Sequence, residues 1–177
     1  DYYRRYYSDA RTRVTSSAEM GRRAALVGAV LKHFEVPIRS IVEFGCGVGL
    51  LRRPLLAEFP RARYTGVELS EYLCARHGWT RGSVIDFDAA SPFDLTICYD
   101  VAQYLDARCA ARALESLARA TRMVLYFCAL TTEDWRDNCD RSRTDHNVYL
   151  RDADWYRRRL ARRFAPLGLG LWLKRGY

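Results

Sequence analysis

IVEFGCGVG, from Ile41 to Gly49, joins a short apolar run to a turn that contains three glycines. The apolar run is bounded by glycine, as is typical of a buried strand. Glycines at positions 45, 47 and 49 let the backbone turn tightly and approach a ligand closely. The helix expected after them offers free amides at its N-terminus, and ligands of open parallel sheets lie outside the carboxyl ends of the strands. The stretch therefore predicts a ligand-binding loop between the first strand and the next helix.

The pattern around this loop alternates between helix and strand from about residue 16 to the end of the sequence. We predict helices over residues 16–34, 49–59, 70–78, 107–121 and 152–164, and strands over residues 40–44, 62–67, 83–87, 95–99 and 123–130. Gly168 and Gly170 indicate a terminal antiparallel hairpin. This alternation predicts a parallel sheet with helices on both faces, which is a Rossmann-like three-layer αβα sandwich.

The length of 177 residues predicts a single domain over residues 1–177. No stretch reaches the roughly 18 uncharged apolar residues that cross a bilayer, so we expect no integral membrane protein. The six cysteines form no C-x-x-C pair, and three of them lie inside apolar runs. We therefore expect reduced thiols in a cytoplasmic protein, with neither a disulfide framework nor a metal site.

The sequence is basic, with a net charge of +8 at pH 7. Only Lys32 and Lys174 among the 29 basic residues are lysines, a bias that is typical of GC-rich genomes. A basic surface suits an anionic substrate or non-specific contact with nucleic acid. Arginines at positions 157, 158, 159, 162 and 163 spread over most of the circumference of one predicted helix. We interpret them as solvated, with phosphate binding as the alternative.

Glu43, two residues before the first glycine, distinguishes this loop from a dinucleotide-binding loop. The dinucleotide fingerprint G-x-G-x-x-G needs its third glycine one residue later, where this sequence has Leu50. A carboxylate at position 43 would repel a pyrophosphate but suits a ligand that carries an ammonium group. For the glycine pattern alone, an ordinary strand–turn–helix junction without a ligand remains an alternative.

Two further acidic residues follow the second and third predicted strands. Glu68 can accept hydrogen bonds from both hydroxyls of a ribose, and Asp86 can accept one from an adenine amino group. Leu69 can pack on the adenine face, and Phe87 can present its backbone amide to the ring. Each acid by itself could be a solvated strand-end residue, but three acids behind three successive strands indicate a nucleoside site.

These motifs resemble those of the class I S-adenosylmethionine-dependent methyltransferases over roughly residues 16–130. EFGCGVG looks like their glycine-rich first motif, and SPFDLTICYDVAQYLD, from Ser91 to Asp106, is similar to their fourth-strand motif. The resemblance implies S-adenosylmethionine as methyl donor, S-adenosylhomocysteine as product, and a seven-stranded sheet of order 3-2-1-4-5-7-6 with strand 7 antiparallel. The cofactor-binding residues that it implies are Glu43, Gly45, Gly47, Gly49, Glu68, Leu69, Asp86, Phe87, Tyr99 and Asp100.

The sequence departs from two patterns found in this family. Many small-molecule members carry a histidine shortly after the fourth-strand acid, where this sequence has Gln103 and Tyr104. Enzymes that methylate amino groups of nucleic-acid bases carry an Asn- or Asp-Pro-Pro-Tyr tetrad, where this sequence reads CYDV over residues 98–101. We therefore predict methyl transfer to an O or N atom of a small molecule. An RNA methyltransferase and a non-catalytic member of the fold are the alternatives.

A general base is needed only if the acceptor must lose a proton, and His146 and Tyr104 are the candidates. His146 lies in a polar loop over residues 131–150, which we expect to close over the acceptor. Residues 1–15 are a second candidate lid, because a tyrosine ring can face a sulfonium in a cation–π contact. The tyrosines in question are Tyr2, Tyr3, Tyr6 and Tyr7.

Overall fold

The computed structural model describes residues 15–177. Its strands are β1 (Ser40–Phe44), β2 (Arg63–Glu68), β3 (Thr80–Arg81), β4 (Phe93–Tyr99), β5 (Thr121–Cys128), β6 (Phe164–Gly168) and β7 (Leu171–Lys174). Its α-helices are α1 (Ser17–His33), α2 (Arg52–Glu58), α3 (Glu71–His77), α4 (Ala107–Ala120), α5 (Thr132–Asp137) and α6 (Ala153–Leu160). A short 3-10 helix, Ala102–Tyr104, follows β4.

The seven strands form one sheet of order β3-β2-β1-β4-β5-β7-β6. β1 to β5 run parallel to one another, whereas β7 is antiparallel to both β5 and β6. In the register of the central strands, Phe44 at the end of β1 pairs with Val67 of β2 and with Cys98 of β4. The loops that leave these three strands therefore meet at one edge of the sheet. The predicted fold and strand order are confirmed.

A helix layer covers each face of the sheet, because successive strand side chains point to opposite faces. One face packs against α4 and α6, and its fully buried members include Val42, Phe44, Leu125, Leu117 and Leu160. The other face packs against α1 and α2, and its fully buried members include Ile41, Leu95, Val124, Leu31 and Leu55. None of the helices in residues 15–177 combines the length and apolar character needed to cross a membrane.

Side-chain caps set the helix boundaries that the sequence indicated. The Ser16 hydroxyl accepts a hydrogen bond from the Glu19 amide at 3.2 Å and begins α1. The Ser70 hydroxyl accepts one from the Leu73 amide at 3.4 Å and begins α3. Gly78, with φ of 72°, ends α3 in a left-handed conformation that glycine adopts without strain. The Ser70 cap therefore fixes the turn just after β2, where the Glu68 side chain also bonds to the glycine loop.

Two predicted elements differ from the structure. The strand expected over residues 83–87 is wrong, because β3 comprises only Thr80–Arg81 and residues 84–86 form a turn. The loop expected over residues 131–150 contains α5, which begins with a capping box between Thr131 and Asp134. The first error matters for the site, since it changes which residues follow the end of β3.

Candidate active site

The glycine loop after β1 adopts a backbone that only glycine accommodates easily. Gly45, Gly47 and Gly49 have φ values of 66°, 52° and 78°, all in the left-handed region. A Cβ at position 45 would stand 2.4 Å from Cγ2 of Val101, so the loop touches the residues after β4. A Cβ at position 47 would meet no atom closer than the Gly45 carbonyl oxygen at 4.0 Å. The loop is therefore packed on one side and open above Gly47.

Glu68, the last residue of β2, is hydrogen-bonded to the backbone of the glycine loop. One of its carboxylate oxygens accepts a hydrogen bond from the Gly47 amide at 3.0 Å. The other accepts from the amides of Leu69 at 2.9 Å and Ser70 at 3.0 Å. The side chain is 8% exposed, whereas the neighbouring Leu69 is 65% exposed. This pair combines a fixed carboxylate with an open apolar surface, and its binding of a ribose and an adenine stays a prediction.

Glu43 lies on β1 beneath the loop and is buried. Burial raises the pKa of its carboxyl group to about 7; the Tyr64 hydroxyl, which donates to it, acts in the opposite direction, and the nearby Glu68 carboxylate raises it further. A positive charge bound above this position would favour the ionised form of Glu43. The structure thus brings Glu43 and Glu68 together under one loop, as the sequence indicated.

Trp79, in the linker between α3 and β3, supports the glycine loop and was not predicted. Its indole nitrogen donates a hydrogen bond to the Gly47 carbonyl at 2.9 Å. Its ring fills the space where a Cβ at Gly49 or Gly66 would stand, at 2.7 Å and 2.6 Å respectively. The guanidinium of Arg52 lies 5.5 Å above the same ring. Sequence offered one signal for this contact, a glycine in the middle of a strand, which marks close approach by another group.

The structure does not place Asp86 and Phe87 at the end of a strand. Asp86 lies in a turn and lines a separate cavity against α4 and α6. The Phe87 ring is partly buried and packs edge-on against Phe44 at the margin of the core, with centroids 5.2 Å apart. The residue that directly follows β3 and Gly82 is Ser83, whose hydroxyl accepts from the Ile85 amide at 3.2 Å. The strand end that was expected to carry Asp86 is therefore absent, and the contact of Asp86 and Phe87 with the adenine stays a prediction.

Asp100 follows β4 directly and has an unusual backbone for a residue with a side chain. Its φ of 55° is left-handed, and its amide donates to the Cys128 carbonyl at 3.0 Å. Such strained positions persist where the surrounding structure fixes them, and they occur often at functional sites. Desolvation raises the pKa of Asp100 to about 6, although the positive charge of Arg23 and hydrogen bonds from Tyr99 and Gln103 act against this shift.

A cavity of about 850 Å³ opens at the ends of β4 and β5, next to Asp100. Its floor includes apolar side chains of Phe127, Leu130, Leu171 and Trp172. Charged groups surround the floor, and they are Glu19, Arg23, Asp100, Asp134, Asp140, Arg143 and Arg157. Arg23 lies 4.7 Å above the Tyr99 ring and donates to Glu19 at 2.9 Å. The volume and the mixed lining fit a small molecule with an apolar body and polar groups.

The two residues predicted as general bases lie outside this cavity. His146 is exposed, packs edge-on against Trp135 with centroids 5.2 Å apart, and its Nε2 lies 2.9 Å from the Arg141 carbonyl oxygen. Tyr104 is 41% exposed and is not among the cavity residues. The loop that carries His146 does reach the cavity through residues 138–144. The tyrosines of the expected N-terminal lid lie outside the described residues.

The glycine loop and the strand ends around it lie in a region of the sequence that matches a known protein family. A family profile described as "Methyltransferase domain" matches residues 42–123, which include the glycine loop, Glu68 and the end of β4. A search of curated protein sequences found no match.

Solved structures of methyltransferases share the fold. Magnesium protoporphyrin IX methyltransferase from Synechocystis, solved with bound S-adenosylmethionine, has a TM-score of 0.66 and 18% identity, with 97% of this chain and 89% of that chain covered. A sugar N-methyltransferase from Streptoalloteichus has a TM-score of 0.54 and 27% identity, with 67% and 54% covered. An O-methyltransferase family protein from Burkholderia thailandensis has a TM-score of 0.62 and 15% identity, with 89% and 57% covered.

The present chain thus spans little more than half the length of two of these proteins. It nevertheless contains the complete seven-stranded sheet with its antiparallel β7. The glycine loop and the acid that ends β2 both lie inside the matched methyltransferase domain. Residues 42–123 therefore match a methyltransferase domain, and the described residues have the Rossmann-like fold of these methyltransferases.

Proposed function

We propose that this chain is an S-adenosylmethionine-dependent enzyme that methylates an O or N atom of a small molecule. The observation that carries the proposal is the end of β4, where Val101 packs on Gly45 while Asp100 lines the 850 Å³ cavity. Asp100 and Val101 are consecutive, so a methyl donor bound on the glycine loop would lie next to a methyl acceptor bound in the cavity. The Streptoalloteichus and Synechocystis relatives, named for a sugar and a porphyrin, support a small-molecule acceptor.

The residues around the glycine loop fit S-adenosylmethionine. The open space above Gly47 leaves room for the ligand to approach the backbone closely. A carboxylate offers about four acceptor positions, and three amides use Glu68, so a ribose hydroxyl could bind to the one that remains. Leu69 offers exposed apolar surface to the adenine. Glu43 supplies a buried carboxylate, whose ionised form the ammonium of the methionine moiety would favour.

When bound, S-adenosylmethionine supplies a methyl group on a sulfonium, which the acceptor atom displaces in line. Alignment of the reacting groups by the loop and the cavity can supply roughly 7–11 kcal/mol towards this step. We assign Asp100 the role of general base, since its carboxylate lines the cavity and its pKa of about 6 leaves it mostly ionised at pH 7. Asp100 would accept the proton that an acceptor hydroxyl or ammonium loses.

Transfer of a labelled methyl group tests this function. The protein is incubated with methyl-labelled S-adenosylmethionine together with either a low-molecular-weight metabolite extract or total RNA, in separate reactions. We expect label in the small-molecule fraction and none in RNA. Label confined to RNA would overturn the assignment of the acceptor, and label in neither fraction, with cofactor binding intact, would overturn the proposed activity.

Replacing Trp79 with phenylalanine should weaken cofactor binding without unfolding the protein. Phenylalanine keeps an aromatic ring beside Gly66, but it is shorter than indole, so it loses the contact of Cζ2 with Gly49 as well as the hydrogen bond to the Gly47 carbonyl. A hydrogen bond of this kind contributes about 1 kcal/mol, so we expect the Kd for S-adenosylhomocysteine to rise about fivefold. Isothermal titration calorimetry measures the change.

Trp135→Phe is the matched control, because Trp135 lies in α5 and packs against His146 away from the glycine loop. Its affinity for S-adenosylhomocysteine should equal that of the unmodified protein. An unchanged Kd in Trp79→Phe would mean that Trp79 does not position the loop.

A further inference from the structure

A second cavity, of about 450 Å³, lies on the opposite side of α6 from the acceptor cavity. Its walls are the turn at Ile85–Asp86, the outer face of α4 and the C-terminal end of α6. No residue lines both cavities, but α6 contributes Arg157 and Leu160 to the large one and Arg159 to the small one. The small cavity is therefore a separate concave site that the methyl-transfer proposal does not use.

Four arginines dominate the lining of this cavity, against two carboxylates. They are Arg112 and Arg119 of α4, Arg159 of α6 and Arg162 just beyond it. Arg112 and Arg119 lie seven residues apart, which is two helical turns, so both project from the same face of α4. Asp86 and Glu115 are the acidic members. The excess of positive charge is two at neutral pH, counted as four arginines less two carboxylates.

Within residues 15–177, none of these four guanidinium groups forms an ion pair. Glu115 instead forms an ion pair with Arg163, which does not line the cavity; the distance from Oε2 of Glu115 to Nη2 of Arg163 is 3.5 Å. Like charges gathered in one concavity repel each other, and a bound anion relieves that repulsion. The cavity thus has positive charge that the described part of the chain leaves uncompensated.

Arg159 is held in place before any ligand binds. Its guanidinium stacks on the Trp155 ring at 3.7 Å and donates to the Trp155 carbonyl at 3.3 Å. A guanidinium fixed in this way loses little conformational entropy when it binds an anion. It can present its remaining donors as a planar pair, the geometry that phosphate and carboxylate oxygens accept.

We infer that the α4–α6 cavity is a binding site for a small organic phosphate, separate from the methyl-transfer site. The phosphate group would bind to Arg112, Arg119, Arg159 and Arg162. Hydroxyl groups on the same ligand would donate to Asp86 and Glu115, which a bare phosphate leaves unused. A volume of about 450 Å³ suits a molecule the size of a sugar phosphate rather than a polymer.

Equilibrium binding of ribose 5-phosphate at low ionic strength tests this site, with ribose and a short single-stranded RNA as further probes. Ribose 5-phosphate should bind to one site, inorganic phosphate should compete with it, and ribose alone should not bind. Arg119→Gln and Arg162→Gln should each weaken binding about tenfold, since each removes a charge-assisted hydrogen bond. Both side chains are exposed, so neither variant should affect folding.

Arg158→Gln is the matched control, because Arg158 is exposed on α6, carries the same charge and does not line the cavity. Its affinity should stay within twofold of the unmodified protein. Equal weakening in Arg158→Gln would overturn the proposal, as would binding of RNA without binding of ribose 5-phosphate, since both indicate a diffuse basic surface. The assay involves no methyl transfer, so its outcome is independent of the proposed enzyme activity.

Discussion

Replacing Glu68 with alanine should abolish the stabilisation of this protein by S-adenosylhomocysteine. The carboxylate both orders the loop through the Gly47 amide and offers an acceptor position for a ribose hydroxyl. At a ligand concentration one hundred times the Kd, the unmodified protein should gain about 2.7 kcal/mol in its free energy of unfolding. The variant should gain nothing measurable. Thermal or denaturant unfolding with and without the ligand gives this difference.

The same substitution should lower the stability of the ligand-free protein, because three backbone amides lose their acceptor. We expect a loss of about 1–3 kcal/mol. Glu68→Gln keeps one carbonyl oxygen and the side-chain shape, so it serves if the alanine variant does not fold. Glu71→Ala is the control, since its side chain is 80% exposed. A full ligand-induced gain in both Glu68 variants would show that Glu68 does not bind the ribose.

Replacing Asp100 with asparagine should reduce kcat by about a hundredfold or more, since a general base typically contributes 10²–10⁴-fold. Because the pKa of Asp100 is raised to about 6, its ionised form increases as pH rises through that value. The activity of the unmodified protein should therefore rise between about pH 5 and pH 7. Asp100→Asn should lose this rise, and steady-state kinetics across this range measures both effects.

The charged and titratable groups that face Asp100 are Arg23, Glu19, Tyr99 and Cys128. Burial holds the pKa values of Tyr99 and Cys128 well above this range, so neither group accounts for an inflection near pH 6. Asp88→Asn is the matched control, because Asp88 is exposed and lies outside the cavity. A variant at position 100 that keeps both its rate and its inflection would refute the role as base.

The central part of the fold was predictable because its signals are local. Ile41–Gly49 combines a strand run and a glycine turn within nine residues, and the structure reproduces β1 at Ser40–Phe44, with α2 beginning shortly afterwards at Arg52. The caps at Ser16 and Ser70 are equally local, since each hydroxyl reaches an amide three residues away. Short-range geometry of this kind needs no knowledge of the tertiary structure.

The third strand was not predictable in the same way. SVIDF, over residues 83–87, has the apolar alternation of a strand, but β3 pairs only at Thr80 and Arg81. Beyond that point the Phe87 ring packs on Phe44, and the Phe87 carbonyl accepts from Ser116 of α4 at 3.4 Å. These tertiary contacts turn the chain away from the sheet edge and move Asp86 to the other cavity.

The acceptor side of the site likewise depends on how a loop folds. Sequence places His146 and Asp100 near the same edge of the sheet, but only the loop conformation determines which side chain lines the cavity. His146 packs outward on Trp135, whereas Asp100 is fixed by the backbone bond to Cys128. Glu68 and Asp100 therefore lie at strand ends as the sequence indicated, whereas the positions of Asp86 and His146 depend on tertiary contacts that the sequence does not reveal.

A crystal structure of the protein with S-adenosylhomocysteine tests the central claim most directly. We predict that its ribose lies on Glu68, that its homocysteine part lies along Gly45–Gly49, and that its sulfur faces the cavity lined by Asp100. Density for the ligand in any other place, or none at saturating concentration, would contradict the account.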